Sequence, residues 1–285
     1  FLRARDGIRP SEAFTGLTMH PLLNIATRAA RRAGDIIARR VNQRDAITVS
    51  TKQRNDFVTE VDQMAEQEII ETVRKAYPDH AFLAEESGAS GDHEIVWIID
   101  PLDGTTNFIH GIPHFAVSIG IQHRGRLEHG VVYDPMRQEM FSASRGSGAF
   151  LDDRRIRVAG QRTLDHAVIG TGIPFRDLRY ADPYFDMLKE IATHSAGIRR
   201  AGAAALDFAY VAAGRLDGFW EIGLQPWDIA AGALLVQEAG GLVGDLSGRP
   251  EFLHEGHVVC GNPKVFSALV KRIRPHLTPE LGGAN

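Results

Sequence analysis

A short apolar run that ends in acidic residues constrains the fold of this chain more than any other feature. Val96-Trp97-Ile98-Ile99 is typical of a buried strand. It runs directly into Asp100-Pro101-Leu102-Asp103-Gly104-Thr105-Thr106, which places two aspartates three residues apart in a tight turn. Because α/β sheets bind ligands at the carboxyl ends of their strands, we expect Asp100 and Asp103 to converge on a ligand.

The chemistry of this turn favours a metal ion and a phosphate. A plain turn is the alternative, because Asp, Pro and Gly are common turn residues. Carboxylate oxygens, however, are the ligands that Mg²⁺ prefers. If Gly104-Thr105-Thr106-Asn107 opens a short helix, its backbone N–H groups would hold an anion beside the acids. Acids and N–H donors together predict a metal-bridged phosphate.

A pair of glutamates follows another apolar stretch upstream. Glu85-Glu86-Ser87 comes after Ala81-Phe82-Leu83, which ends a predicted strand. A Glu pair on its own is usually a solvated loop. Two strand ends that both carry acids could nevertheless lie side by side, which would bring Glu85 close to Asp100.

Two more acids lie at predicted helix starts, where capping is the simpler explanation. Asp228 precedes an apolar helical segment, and an N-cap role alone would account for it. Its carboxylate could also face the acids of the turn, because one carboxylate has several lone pairs. Thr59-Glu60-Val61-Asp62 has the form of a capping box.

Hydrophobic periodicity divides the chain into two regions. Up to about residue 160, helical patterns from Pro21 and over 59–77 flank strand-like stretches at 96–99, 115–121, 127–133 and 139–143. This pattern predicts a helix-flanked antiparallel sheet. Beyond residue 160, strands at 167–170, 218–221, 242–244 and 257–260 alternate with helices at 183–194, 203–213, 228–239 and 263–273. The alternation predicts a mostly parallel sheet.

We therefore expect three parts. Residues 1–18 show no apolar periodicity and are interpreted as a flexible extension or tag remnant, with the natural start at Met19. Residues 19–160 form an N-terminal α+β half with most metal ligands. Residues 161–285 form a C-terminal α/β half that completes the site. No Pro-rich or Ser-rich linker separates the halves, which predicts that they pack tightly.

Composition narrows the function classes. The chain has 32 basic and 36 acidic residues, a net charge of -4, so it lacks the basic excess of a direct nucleic-acid binder. Its single Cys, Cys260, excludes an intramolecular disulfide framework and a Cys-rich zinc site. The exclusion of disulfides fits a cytoplasmic location. The longest apolar runs are shorter than a membrane span needs. No P-loop sequence occurs.

Several motifs together resemble the inositol monophosphatase family. Trp97–Phe108 (WIIDPLDGTTNF) resembles its first signature, and Pro226–Gly232 (PWDIAAG) resembles its second. Glu85-Glu86-Ser87 resembles its first metal-ligand segment. Asn55–Asp62 and Arg200–Asp207 resemble the bacterial inositol-1-monophosphatase subgroup in particular. The match extends from about Met19 to the last predicted helix, in the family's order and spacing.

The resemblance implies a fold and an activity. The fold is a layered αβαβα sandwich of the sugar-phosphatase type, with an α+β half and an α/β half. The activity is Mg²⁺-dependent hydrolysis of a phosphate monoester, inositol 1-phosphate and water giving inositol and phosphate, with two to three Mg²⁺ per site. The resemblance also implies inhibition by Li⁺ and a homodimer.

The resemblance assigns roles residue by residue. The ligands of a first metal resemble Glu85, Asp100 and the Leu102 carbonyl. The ligands of a second metal resemble Asp100, Asp103 and Asp228. A third metal would use Glu85 and water. Residues that resemble catalytic groups around the attacking water are Glu85, Thr105, Asp62 and Lys52. Residues that resemble substrate-binding groups are Asp103, Gly104, Thr105, Ala204, Glu221 and Asp228. For Asp62, the resemblance adds a catalytic role to the capping box.

Alternatives remain within and outside this enzyme class. Relatives of the same family hydrolyse fructose 1,6-bisphosphate, 3′-phosphoadenosine 5′-phosphate, NADP or histidinol phosphate, and Glu221 favours the inositol-type site over these. A different class is an interaction protein, since some bacterial relatives are associated with transcription and ribosomal-RNA machinery. Basic pairs such as Arg199-Arg200 could serve that role, although solvated helix faces are the simpler explanation.

Overall fold

The computed structural model describes residues 19–46, 48–53 and 56–283 of the 285-residue chain. For residues 44–46, 49, 51–53, 56 and 57 it describes the backbone alone. The extension predicted for residues 1–18 lies outside the described residues. So does the side chain of Lys52, whose backbone belongs to the first strand.

Helices and strands alternate along the described chain much as the periodicity predicts. The helices are α1 Pro21–Arg40, α2 Glu60–Arg74, α3 Thr105–His110, α4 Ala181–Ala192, α5 Ala204–Ala212, α6 Pro226–Glu238, α7 Phe252–Glu255 and α8 Pro263–Ile273. The strands are β1 Val49–Gln53, β2 Asp56–Thr59, β3 Ala81–Ala84, β4 Gly88–Ser90, β5 Ile95–Asp103, β6 Ala116–His123, β7 Arg126–Asp134, β8 Glu139–Ser144, β9 Gly148–Leu151, β10 Arg154–Ile156, β11 Val168–Thr171, β12 Gly197–Arg199, β13 Gly218–Ile222, β14 Leu242–Gly244 and β15 His257–Gly261. The short strands β4, β10 and β12 were not predicted, because none of them contains an apolar run or an alternating pattern that marks a strand.

The larger sheet has eight strands in the order β10-β9-β8-β7-β6-β5-β3-β4. All neighbours run antiparallel except β3 and β5, which are parallel. The antiparallel sheet predicted for the first region is therefore confirmed, with one parallel pair in it. That pair matters for the site, because it places the carboxyl ends of β3 and β5 side by side.

The smaller sheet has five strands in the order β12-β11-β13-β15-β14. β11 runs parallel to β12 and to β13, whereas β15 runs antiparallel to both β13 and β14. Four strands thus share one direction, and β15 is inserted between them in the opposite direction. Two of the four neighbouring pairs are parallel and two are antiparallel, so the prediction of a mostly parallel sheet is only partly right. The sheet is mixed, because β15 returns after the short helix α7 rather than after a full crossover helix.

Helices and sheets stack in five layers. Helices α1 and α2 cover one face of the larger sheet, α5 and α6 lie between the two sheets, and α4 and α8 cover the outer face of the smaller sheet. Four apolar clusters of described residues fill the spaces between these layers. The αβαβα sandwich is confirmed. The division into halves at about residue 160 stays a prediction.

Helix α1 is amphipathic and surface-packed. Pro21 occupies its first turn, and His20 caps it by accepting a hydrogen bond from the Leu22 amide at 3.2 Å. Its buried face consists mainly of alanines, which lets it lie close to the sheet. No helix in the described part of the chain is long and apolar enough to cross a bilayer.

Helix α6 is buried on all sides, which explains its sequence. Every residue from Asp228 to Val236 is buried, and a helix that is apolar all round belongs in a protein interior. On the larger sheet it lies over Gly120 and Gly130, which pair directly across β6 and β7. A methyl group added at Gly130 would lie 2.8 Å from the Ala231 carbonyl oxygen. These glycines therefore allow the close approach of helix and sheet.

A buried histidine makes the stability of this sheet depend on pH. His129 on β7 bonds to the Ser144 hydroxyl at 2.8 Å and stacks on His20. Burial, with a smaller contribution from His20, lowers the pKa of His129 to about 4. The folded state thus holds a neutral imidazole that the unfolded chain would protonate below about pH 6.5.

We expect stability to fall as pH drops from about 6.5 towards 4 and His129→Gln to remove that part of the slope. One proton contributes at most about 1.4 kcal/mol per pH unit. Urea unfolding of wild type and variant at about pH 7.5, 6 and 5 measures the difference. His166→Gln, at an exposed histidine, is the control. Parallel slopes for wild type and His129→Gln would contradict the assignment.

Candidate metal and phosphate site

The predicted turn after the buried strand forms, and it opens a helix. β5 runs from Ile95 through Asp103, and the Leu102 amide donates to Asp100 Oδ1 at 3.0 Å. Gly104 follows with φ +94°, a left-handed conformation that only glycine adopts at little cost. A methyl group there would also lie 3.0 Å from the His114 carbonyl oxygen. α3 begins at Thr105, so the first-turn amides lie next to the acids, as predicted.

Three carboxylates from two distant parts of the chain meet at this turn. Carboxylate oxygens of Asp100, Asp103 and Asp228 all lie within 4.8 Å of one another. Asp228 comes from the first turn of α6, where its Oδ2 accepts a hydrogen bond from the Gln225 amide at 2.7 Å. The N-cap prediction for Asp228 is wrong in position, because α6 begins earlier, at Pro226, and Gln225 is the cap residue.

A hydrogen bond ties this cluster to the helix layer between the sheets. The Ala205 amide in α5 donates to Asp103 Oδ2 at 2.7 Å. Asn107 in α3 reinforces the same link, because its Nδ2 donates to the Ala201 carbonyl at 2.9 Å and to the His114 carbonyl at 2.8 Å. The N-terminal end of α5 is therefore held against the acidic turn from two sides.

The electrostatics of the cluster fit a bound cation. Burial raises the pKa of Asp100 well above its usual range, and Glu85, Asp103 and Asp228 raise it further. Burial and Asp228 raise the pKa of Asp103 in the same way, against the opposing Ala205 hydrogen bond. Carboxylates this close cannot all ionise near neutral pH unless positive charge joins them. An all-oxygen set of acids, two buried and one half-buried, is the donor chemistry that Mg²⁺ takes.

Thr105 lies between the acidic turn and α2. Its Oγ1 is 3.0 Å from Asp62 Oδ1 and 3.1 Å from the Leu102 carbonyl oxygen, so its single hydrogen is donated to one of these acceptors or shared between them. Asp62 completes the predicted capping box at the same time, because Oδ2 accepts from the Thr59 amide at 2.8 Å. Burial raises the pKa of Asp62, opposed by the Thr59 and Thr105 hydrogen bonds. One buried carboxylate thus serves both the helix cap and Thr105.

An open cleft of about 440 Å³ connects these groups with the remaining candidate residues. The cleft is lined by the three aspartates and by Glu85, Leu102, Gly104, Ala204 and Glu221. Glu221 is the next-to-last residue of β13 and lies directly against Gly172, where no side chain would fit. Its pKa is raised to about 7, mainly by burial, while Arg200 and Arg176 oppose the rise and Asp228 adds to it. The structure brings every predicted site residue together except Lys52, whose side chain is not described.

Two residues near the site were not predicted from the sequence. The sequence marks Asn107 only as part of a helix opening, and its hydrogen bond to Ala201 joins parts of the chain that no local pattern connects. Glu66 on α2 is 3% exposed and binds the turn after Glu85. Its signal was an acid on the apolar face of an amphipathic helix, four residues after Asp62.

Comparison with known proteins agrees with this geometry. A family model described as the inositol monophosphatase family matches residues 18–278. Nus factor SuhB from Pseudomonas aeruginosa is 59% identical over 269 residues, which cover 92% of this chain and 99% of that relative. The relative and the chain are therefore similar over nearly their whole lengths.

Solved structures give the same result. Extragenic suppressor protein suhB from Bartonella henselae superposes with a TM-score of 0.88 at 43% identity, covering 90% of this chain and 100% of that one. Inositol monophosphatase from Anabaena sp. PCC 7120 superposes with a TM-score of 0.79 at 36% identity, covering 88% of this chain and 94% of that one. The layered fold is shared with both.

Proposed function

This chain belongs to the inositol monophosphatase family, and we propose that it is a Mg²⁺-dependent phosphate monoesterase acting on inositol monophosphate. The observation that carries the proposal is the convergence of Asp100, Asp103 and Asp228 beside the first turn of α3. Acids for a cation and amides for an anion within one cleft suit a phosphate ester bound through a metal.

The metal ligands proposed are Glu85, Asp100, the Leu102 carbonyl, Asp103 and Asp228, for two to three Mg²⁺. Mg²⁺ held by this set would supply Lewis-acid neutralisation of the phosphate charge and would lower the pKa of bound water. The pKa directions of Asp100 and Asp103 support a cation at this point, because each carboxyl resists ionising beside the others. We also propose inhibition by Li⁺, which follows from the family.

The attacking water is positioned by side chains of this chain. The Thr105 hydroxyl directs its hydrogen towards Asp62 and Leu102, so an oxygen lone pair remains to accept a hydrogen bond from water. Glu85 would hold the same water from the neighbouring end of β3. The amides of Gly104 and Thr105 would bind the phosphate oxygens. No covalent intermediate is needed, and we propose Lys52 as a further charge near the reacting groups.

The substrate is proposed from the far wall of the cleft. A carboxylate at Glu221 and the backbone at Ala204 can bond hydroxyl groups of a polyol whose phosphate lies on α3. The similar Anabaena protein is named an inositol monophosphatase, which supports this choice. Fructose 1,6-bisphosphate, 3′-phosphoadenosine 5′-phosphate and NADP are the alternatives.

A panel of kcat/KM values for these and inositol 1-phosphate with Mg²⁺ tests the proposal, and inositol 1-phosphate should rank first.

Glu221→Gln should impair inositol 1-phosphate more than p-nitrophenyl phosphate. Above about pH 7, where Glu221 is mostly ionised, a hydrogen bond from a hydroxyl to this charged group is worth about 1.5–3 kcal/mol, so kcat/KM should fall by roughly ten- to a hundredfold for the polyol. The aryl ester has no hydroxyl to bind and should change by less than about threefold. Steady-state kinetics on both esters measures the ratio. Equal losses would remove Glu221 from substrate recognition.

A second function is proposed from the relatives. The protein 59% identical to this chain is named a Nus factor, so association with the transcription machinery is proposed as a protein–protein contact. The net charge of -4 gives no support for direct nucleic-acid binding. Complementation of a strain lacking the relative separates the two functions. Rescue by Asp103→Asn would show that the phenotype does not depend on hydrolysis.

Assembly and location are proposed from family membership and cysteine content. A homodimer follows from the family, and sedimentation of the purified chain would test it. A cytoplasmic location fits the single buried cysteine and the bacterial Nus factor relative. These proposals do not affect the chemistry of the cleft.

A further inference from the structure

The turn that carries Glu85 is held from behind by a second, buried carboxylate. Glu66 on α2 is 3% exposed, although glutamate is seldom buried unless it is paired. Its Oε2 accepts a hydrogen bond from the Glu86 amide at 2.8 Å, and its Oε1 accepts one from the Ser87 amide at 2.8 Å. Each oxygen thus takes one of two consecutive amides, immediately after Glu85.

Glu85 itself is fixed on its other side by the sheet. Its amide donates to the Ile99 carbonyl at 3.1 Å, which continues the parallel pairing of β3 with β5. Ile99 directly precedes Asp100, so this bond sets Glu85 beside the acidic turn. The backbone at Glu85 therefore lies between a ladder bond to β5 and a turn bound by Glu66.

Helix α2 reaches the site through two carboxylates on one face. Asp62 and Glu66 are four residues apart, and residues at that spacing are neighbours on a helix surface. Asp62 bonds to Thr105, whereas Glu66 bonds to the turn after Glu85. Thr105 and Glu85 are the two groups proposed to hold the attacking water. Hydrogen bonds to the same helix, α2, thus position both.

We propose that Glu66 is a positioning residue that fixes Glu85 relative to Asp100 and thereby sets the affinity of the site for Mg²⁺. The inference rests on the proposed function, because it takes Glu85 to be a metal ligand. Without Glu66, two amides of the turn lose their acceptors, and the turn can carry Glu85 away from the strand end. Outer partners of metal ligands commonly contribute about ten- to a hundredfold in metal affinity.

Glu66→Gln is the test variant and Glu68→Gln its matched control. The amide keeps the size of the side chain but can accept only one of the two hydrogen bonds. Glu68 lies on the same helix, pairs with Arg32 of α1 and accepts from Thr72, so its replacement leaves the turn untouched. We expect the Mg²⁺ concentration for half-maximal thermal stabilisation to rise roughly ten- to a hundredfold in Glu66→Gln and to stay unchanged in Glu68→Gln.

A second measurement needs neither metal nor substrate. In the metal-free protein, hydrogen exchange at the Glu86 and Ser87 amides should accelerate in Glu66→Gln and match wild type in Glu68→Gln. Thr72→Val, a buried change in α2 remote from the turn, gives the reference for a general loss of stability. At equal loss of Tm, only Glu66→Gln should shift the Mg²⁺ midpoint.

The outcomes separate this inference from the function on which it rests. An unchanged Mg²⁺ midpoint in folded Glu66→Gln overturns the positioning role, as does a wild type that Mg²⁺ does not stabilise. A wild type that binds Mg²⁺ with the expected Glu66 dependence but hydrolyses no phosphate ester supports the role of Glu66 and overturns only the proposed function.

Discussion

We expect Asp103→Asn to lower kcat/KM for a phosphate monoester by roughly a thousandfold or more while the chain stays folded. Asp103 is one of three carboxylates that converge at the end of β5, and the amide offers the site no negative charge. Charge stabilisation by a bound metal is worth several kcal/mol, and about 1.4 kcal/mol corresponds to tenfold in rate. Steady-state kinetics across a Mg²⁺ titration measures the loss.

The fold should survive this change because the structural bond of Asp103 is retained. The side-chain oxygen of the introduced asparagine can still accept from the Ala205 amide, as Asp103 Oδ2 does at 2.7 Å. The raised pKa of Asp103 means that its ionised form costs stability at neutral pH, a cost that disappears as pH falls. The amide removes that cost, so the metal-free variant should melt at or above the wild-type Tm.

A surface change of the same chemistry supplies the comparison. Asp186→Asn lies on the exposed face of α4 and should change neither turnover nor the response to Mg²⁺. Near-normal turnover of Asp103→Asn at saturating Mg²⁺ would contradict the assignment of Asp103 as a metal ligand. Loss of turnover together with a large drop in Tm would point to a folding defect instead.

Gly130→Val should destabilise the protein by about 3 kcal/mol or more. A methyl group at this position would meet the Ala231 carbonyl oxygen at 2.8 Å and its Cα at 3.0 Å. These are helix backbone atoms, so no side-chain rotation relieves the clash, and α6 must move away from the sheet. Thermal unfolding should show a Tm lower by roughly 10 °C. Displacement of α6 also moves Asp228, so the folded fraction should bind Mg²⁺ more weakly.

A smaller side chain at Gly130 should destabilise the protein less than valine does. Gly130→Ala should cost about 1–3 kcal/mol. Gly160→Ala is the control, because a methyl group there meets no atom within 4 Å. It should be neutral or slightly stabilising, since alanine restricts the unfolded chain. If Gly130→Ala were as stable as Gly160→Ala, the close seating of α6 on this sheet would be wrong.

Local sequence predicted the acidic turn well because its parts are adjacent. The strand, the two aspartates and the start of α3 all fall within Val96–Asn107, and each follows from a pattern a few residues long. The meeting of Asp100 with Asp228 needed the family resemblance, since nothing near Asp228 distinguishes a helix cap from a ligand. In the structure Asp228 lies at the third helical position, and its carboxylate accepts from the cap amide.

Contacts over long separations were beyond the reach of sequence patterns. Glu66 and Ser87 are 21 residues apart, and Asp103 and Ala205 are 102 apart. In each case one partner is a backbone amide, which every residue except proline possesses, so no residue type marks the pair. The insertion of β15 between β13 and β14 was missed for a related reason. Periodicity identifies a strand but not its neighbour or direction.

Because α6 lies between the two sheets, the order of synthesis determines when the parts of the cleft can come together. A chain emerges from the ribosome N-terminus first, so β5 and its two aspartates are complete well before the helix that brings Asp228. β14 and β15, which close the layer over α6, follow later still. Asp228 can therefore join Asp100 and Asp103 only after most of the chain has been made. The cleft is complete only when both sheets have closed around this one helix.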